Sequence, residues 1–221
     1  MKTALVTIGQ SPRDDLVPEL LPYLPSAGAG IAFDEVGALD GLSAAEIAAM
    51  APAAGEERLC TRLRDGSQAV IGKPRTVARL NRIFAELDAS GYGLIVLLCT
   101  GYFEGLHCRA LFLEAQRLVD GFVAAVALDG RKVGVLVPLA EQIVQHEVSP
   151  TGYAIAGGSH ASPYEGDRLD AAARELAGMD LIVMHCMGYT EAMARRVQEV
   201  SGRPVVLSRR VIAAGWAQFV R

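Results

Sequence analysis

Several things are scarce in this sequence, and each shortage excludes something. Aromatic residues make up 6% of the 221 positions, with a single Trp. Net charge is −4, and basic residues are interspersed with acidic ones. A nucleic-acid surface needs a basic stripe and stacking rings, so no nucleic-acid partner is expected. Lysine is nearly absent: of 21 basic residues only Lys2, Lys73 and Lys132 are not arginine. A bias spread over the whole chain reads as genomic composition rather than as a set of functional arginines. No apolar run approaches the roughly 20 residues that cross a bilayer, so no membrane partner is expected. The opening stretch MKTALVTIGQSPRDD has too short an apolar run for a signal peptide and no small-residue cleavage site, which predicts a cytoplasmic protein. Cys60, Cys99, Cys108 and Cys186 fit no CxxC or zinc spacing, so free thiols and no metal are expected.

What is present is ordinary globular material. With 51% apolar residues, 221 positions bury a full core without a metal or disulfide staple. Short runs rich in Val, Ile and Leu fall at 4–8, 31–36, 94–98, 133–137, 181–185 and 204–207. Runs without polar alternation suit strands covered on both faces. Helical periodicity lies between them at 74–87, where Val77, Leu80, Ile83, Phe84 and Leu87 share one face, and again at 167–177 and 191–200. Alternation of strand and helix predicts parallel sheets with right-handed crossovers. One stretch breaks the rhythm. Residues 58–63 and 68–71 flank Asp65-Gly66, which signals a β-hairpin within about 57–72. Three placements are open to it: over an active-site mouth, in a dimer contact, or as a sheet-edge extension.

An internal repeat is the strongest signal. Residues 94–104 read LIVLLCTGYFE and residues 181–191 read LIVMHCMGYTE. Any buried strand supplies Leu-Ile-Val, but the shared Cys-x-Gly-Tyr-x-Glu is specific. The fold class expected is therefore α/β, with two pseudo-symmetric Rossmann-like halves at 1–125 and 126–221 and the hairpin inserted in the first. The active site is expected in the cleft between them.

Ligands of open α/β sheets bind beyond the carboxyl ends of the strands, where Cys99 and Cys186 fall. Glycines at 101 and 188 let backbone N–H groups turn toward an anion. A nearby helix start favours a carboxylate and predicts a lowered thiol pKa. Two thiols facing one cleft suit inversion at a carbon next to a carboxylate. One thiolate removes a proton and the other thiol delivers one to the opposite face, with no cofactor. The sulfurs are then expected roughly 7 Å apart with substrate bound.

These residues resemble the aspartate/glutamate/hydantoin racemase superfamily, whose two halves each carry a catalytic Cys at a strand end. More specifically, the chain resembles the AroM family through Ile8-Gly9 with Pro12, Ala51-Pro52-x-Ala54-Gly55-Glu56, and Cys186-x-Gly188. The resemblance implies the racemase-like fold and a catalytic pair, Cys99 and Cys186; it carries no assigned reaction. Many superfamily racemases place an acid and a Ser after strand one. Here the loop is Gly9-Gln10-Ser11-Pro12-Arg13, and Gln10 cannot act as a base.

The expected substrate-binding set is Gln10, Ser11, Arg13, Thr100, Gly101, Tyr102, Pro138, Leu139, Met187, Gly188 and Tyr189. Arg13 would offer a bidentate fork to a carboxylate. Glu104 and Glu191 are read as helix caps. His185 precedes Cys186 and is expected to point to the opposite sheet face. His107 and Cys108 are placed in a following helix, and Gly157-Gly158 in a turn. Lys73, Arg75, His146, His160 and Cys60 are read as structural or solvated. The apolar tail 211–220 is expected to pack on a sheet or on a second subunit of a homo-oligomer. Three functions compete: a cofactor-independent racemase or isomerase on a small carboxylate, a one-cysteine decarboxylase or lyase, and a non-catalytic small-molecule sensor.

Overall fold

The structure, a computed structural model, describes residues 1–128, 130–147 and 151–220. The first part of the chain runs β1 (Thr3–Thr7), α1 (Val17–Leu20), β2 (Phe33–Gly37), α2 (Ala44–Ala49), β3 (Arg58–Arg62), β4 (Gln68–Gly72), α3 (Lys73–Ala89), β5 (Leu94–Leu97), β6 (Leu111–Glu114) and α4 (Ala115–Val126). The second part runs β7 (Val133–Val137), α5 (Glu141–Glu147), β8 (Ile155–His160), α6 (Leu169–Glu175), β9 (Leu181–Met184), α7 (Glu191–Ser201), β10 (Val205–Leu207) and α8 (Ser208–Ala217). Every residue of β1 and β7 is buried, as unalternating Val, Ile and Leu require.

Two four-stranded sheets result, ordered β2-β1-β5-β6 and β10-β9-β7-β8. All strand pairs in both are parallel. Reversed, the second order is β8-β7-β9-β10, the same arrangement as the first. Register repeats with it: Thr3 faces Leu94 and Val133 faces Leu181. The exits match too. Leu98 N–H donates to Val6 O and His185 N–H to Leu136 O, both at 2.8 Å. The sequence repeat is therefore a structural one, with Cys99 and Cys186 at equivalent positions.

The halves also exchange helices. From α8, Ile212, Ala213 and Trp216 pack with Leu5, Leu94 and Val96 of the first sheet. From α4, Val119 and Val123 pack with Val133, Val183 and Val206 of the second. The apolar tail thus covers the first sheet of its own chain. Phe33 meets Trp216 edge to face at 5.4 Å. Each of these two helices thus covers a sheet built by the other stretch of the chain.

Two local expectations are corrected, and one of the three placements open to the hairpin is removed. His107 and Cys108, placed in a helix from sequence, lie in irregular chain that leads into β6, a strand too short to announce itself. Gly157 and Gly158 lie inside β8 rather than in a turn. There the missing side chains let Met179 and Ile143 press onto the strand. The hairpin extends neither sheet edge: β3 and β4 pair only with each other. It straddles both halves instead. Gln10 N–H donates to Arg62 O at 3.4 Å, and Arg64 Nη2 to Ser11 O at 2.6 Å. From the second half, Gln142 Nε2 donates to Arg58 O at 3.2 Å and Ser162 Oγ to Gln68 Oε1 at 2.7 Å. The Glu56 carboxylate fastens the hairpin base, accepting from Ala53 N–H at 2.9 Å and from Arg75 Nη1 at 3.0 Å.

Candidate active site

Strands β5 and β9 stop at Leu97 and Met184, and two residues later each chain turns at its cysteine. The turn folds the following glycine back on the thiol. Gly101 N–H donates to Cys99 Sγ and Gly188 N–H to Cys186 Sγ, both at 3.3 Å. These N–H groups therefore serve the sulfurs, not a separate anion as the glycines had suggested. Thr100 Oγ1 donates to His185 O at 3.0 Å and ties one cysteine loop to the other.

Both cysteines line one cavity at the carboxyl ends of the sheets, along with Ile8, Leu98 and His185. The hairpin closes one side with Leu59, Cys60 and Thr61, and α5 another with Gln142 and His146. Free space amounts to about 50 Å³, room for something on the order of four water molecules. Of the residues expected to bind substrate, Arg13, Thr100, Gly101, Tyr102, Pro138 and Met187 also line the cavity.

Gln10, Ser11, Leu139, Gly188 and Tyr189 do not line it. Their polar groups are committed elsewhere. Gln10 Oε1 accepts from Arg64 N–H at 2.8 Å. Ser11 N–H and Oγ donate to Asp40 at 2.9 and 2.5 Å. Leu139 N–H donates to Gln142 Oε1 at 3.1 Å. Tyr189 is fully buried and donates to Ala161 O at 2.7 Å. A Cβ on Gly188 would lie 2.6 Å from Pro163 Cγ and run into the Tyr164 hydroxyl. Glu104 has no helix start beside it. The α7 cap is Thr190, while Glu191 pairs with Arg210 at 2.5 Å.

Arg13 departs from its expected role. Nε and Nη2 bind the two Asp15 oxygens at 2.7 and 2.8 Å, so the fork meant for a substrate already holds a carboxylate. Nη1 donates to Thr7 Oγ1 at 3.1 Å, and Nη2 also to Tyr164 Oη at 3.3 Å. Burial opposes the Arg13 charge, but the Asp15 bonds and the neighbouring Tyr164 leave its pKa raised. Burial likewise pushes Asp15 up, and the Arg13 bonds outweigh it, holding that carboxyl below the usual range.

Neither thiol has the lowered pKa expected from a helix end. Both are 8% exposed, and the thiolate loses most of its hydration there. Burial pushes Cys99 up to about 12 against the Gly101 N–H, with Cys186 and Glu114 adding to the rise. Burial raises Cys186 too, but Gly188 N–H, Arg13, Arg209 and Tyr164 all pull it back. The two positions are equivalent in backbone, and both thiols are raised by burial, but Cys186 has more groups that favour its charge.

Cys60, Tyr164 and His146 also line the cavity, although the sequence marked none of them as functional. The strand pattern Arg-Leu-Cys-Thr-Arg of β3 carries the one available hint, since alternation puts Cys60 on a definable hairpin face. His185 lines the cavity as well, contrary to its expected orientation away from the site. His107 does not. Among the described residues, no group of three or more His, Cys, Asp or Glu could hold a metal ion, and no helix is long and apolar enough to cross a membrane.

Comparison with known proteins places this architecture. The chain is similar in structure to Nocardia farcinica maleate cis-trans isomerase, with 17% identity, a TM-score of 0.58, and coverage of 98% of this chain and 91% of that one. Klebsiella pneumoniae allantoin racemase gives 12% identity and a TM-score of 0.61 over 99% of this chain and 86% of that one. Aquifex pyrophilus glutamate racemase gives 13% and 0.59 over 100% and 84%. Identities this low establish the fold: a racemase-like α/β fold of two parallel-sheet halves. None of the curated proteins compared matches the sequence. The family model described as AroM protein matches residues 3–220, and the chain belongs to that family.

Proposed function

We propose that this protein is a cofactor-independent racemase or isomerase of a small carboxylate substrate, with Cys99 and Cys186 as its acid–base pair. One observation carries the reading: two thiols at equivalent positions of two pseudo-symmetric sheets line a single cavity. Each half presents its sulfur to the cavity, so a carbon between them meets one thiol on either face.

Their roles follow from their surroundings. Arg13, Arg209 and the Tyr164 hydroxyl favour a charge on Cys186, whereas Glu114 disfavours one on Cys99. Of the two, Cys186 is accordingly the one whose thiolate forms more readily and takes a proton from the carbon beside the substrate carboxylate. Cys99, whose thiol is held well above its ordinary range by burial, with Cys186 and Glu114 adding to the rise, is the thiol that delivers one to the other face. After turnover Cys99 is the thiolate and Cys186 the thiol, and proton exchange with water resets them. The cations that line the cavity, Arg13 and Arg58, are the groups open to the substrate carboxylate, Arg58 by exchanging its 3.3 Å pairing with Glu141. Cytoplasmic location belongs to this proposal.

The test is solvent deuterium incorporation screened over amino acids, hydantoins and dicarboxylates, with Cys99→Ala and Cys186→Ala beside the unaltered protein. Exchange lost in both variants supports the pair. Full exchange in Cys99→Ala moves the chemistry to Cys186 alone. Exchange untouched in Cys186→Ala ends the proposal.

A further inference from the structure

The end of the cavity made by the second half holds polar groups that the two-thiol chemistry does not use. His146 on α5 and His185 after β9 meet edge to face, with ring centroids 4.1 Å apart. His185 is 2% exposed, and both of its ring nitrogens lack a hydrogen-bond partner; so does His146 Nδ1. Asp120 on α4 stands behind them. Its Oδ1 lies 3.7 Å from His185 Nε2, too far for a direct hydrogen bond. That carboxylate is already served by Gln116 Nε2 and, at 3.2 Å, by the Tyr153 hydroxyl. Buried polar atoms without partners are few in folded proteins, and they collect where a ligand or a bound water completes them. Both imidazoles line the same cavity as the cysteines.

We propose that the His146–His185 pair is a recognition subsite for the end of the substrate away from the reacting carbon, and that this end is a neutral group able both to donate and to accept hydrogen bonds, of the carboxamide or ureide class. This deepens the reading of the cavity as a substrate site and rests on it. A neutral imidazole offers one N–H and one lone pair, so a facing pair calls for a partner with both functions. An amide or ureide has them and a carboxylate does not. Charge points the same way. Burial, with His185 adjacent, holds His146 neutral down to a pKa of about 2. The Asp120 carboxylate, 3.7 Å from His185 Nε2, gives the cluster no cation to offer a second carboxylate. A second carboxylate would enter it unpaired, which burial penalises heavily. The subsite therefore separates half-amides from dicarboxylates of the same length.

Isothermal titration calorimetry with matched pairs tests this: malonamate against malonate, succinamate against succinate, and maleamate against maleate. The proposal expects at least one half-amide to bind roughly tenfold to a hundredfold more tightly than its diacid. That preference should fall below about threefold in His146→Leu. His185→Gln, which keeps a donor and an acceptor in the buried position, should retain part of it. Cys186→Ser should keep the preference while losing isotope exchange, so failure of the catalytic reading and failure of the subsite give different results. Diacids bound as tightly as half-amides would overturn the proposal. So would a preference unchanged in a folded His146→Leu protein, or no binding of any of the six probes, which would leave a pocket for ordered water alone.

Discussion

The asymmetry between two equivalent cysteines can be read directly from their alkylation rates. Cys99 sits at about 12 because burial strips its thiolate of water and the Glu114 carboxylate adds repulsion. Against a free cysteine near 8.5, about 3.5 units mean roughly 3,000 times less thiolate at pH 7. The more basic thiolate is also the better nucleophile, which returns something over one logarithm of rate. Cys99 should therefore react with iodoacetamide about a hundredfold more slowly than free cysteine. Cys186 should react faster than Cys99, and half-exposed Cys108 faster than either. Glu114→Gln is the sharp perturbation. Glu114 is 5% exposed and faces Arg117 at 2.8 Å. Removing its charge removes the repulsion it exerts on the Cys99 thiolate. A gain on the order of 1 kcal/mol for the thiolate corresponds to about fivefold more of it. The assay is alkylation against pH, with each cysteine peptide quantified by mass. Cys99 labelling should accelerate severalfold in Glu114→Gln while Cys186 labelling stays constant. Cys99 reacting as fast as Cys186 in the unaltered protein, or ignoring Glu114→Gln, would refute the electrostatic assignment.

Other consequences are open to simpler measurements. Gly188→Ala places a Cβ 2.6 Å from Pro163 Cγ, an overpacking that should cost about 1–3 kcal/mol and lower Tm by roughly 3–10 °C. Gly101→Ala meets the movable end of Leu59 at 2.8 Å and should melt closer to the unaltered protein. Arg209 is fully buried and donates to Met187 O, Gly188 O, Asp15 O and Glu19 at 2.6–2.9 Å. Arg209→Met strands those acceptors and should cost about 3–5 kcal/mol in chemical denaturation. Stability should also fall with acid. His146 stays neutral in the fold down to about 2, while the unfolded chain protonates below about 6.5. The unfolded state therefore binds more protons as pH drops, removing up to about 1.4 kcal/mol per unit below pH 6.5. His146→Gln should flatten that limb, and a slope unchanged by the substitution would show that His146 does not cause it.

The legible and illegible parts of this protein divide on physical lines. The repeat was readable because Cys, Gly and Tyr at fixed offsets are position-specific, whereas the apolar strands around them are interchangeable. It pointed to two similar halves and to matching positions for the two thiols. The reciprocal packing of α4 and α8 was not readable, since an amphipathic helix carries no mark of which sheet it will cover. Nor was the commitment of Arg13, although Asp15 two residues later supplied its partner locally. Ser11 was lost to Asp40 across 29 residues of sequence. Cys60, Tyr164 and His146 reach the cavity from a hairpin, a loop and a short helix, and none lies in a motif. The glycines of β8 mimic a turn because close helix packing and tight turns call for the same residue.

The central claim is that two thiols act on opposite faces of one carbon, and early-time isotope distribution in heavy water tests it most directly. With a substrate found by the exchange screen, the reaction is stopped at a few per cent conversion and both stereoisomers are analysed by mass. A two-thiol mechanism predicts deuterium in the newly formed isomer while the remaining substrate stays protiated, because the proton removed by one sulfur is not the one returned by the other. Deuterium appearing equally in both isomers from the first time point would mean that a single base serves both faces, contradicting the account.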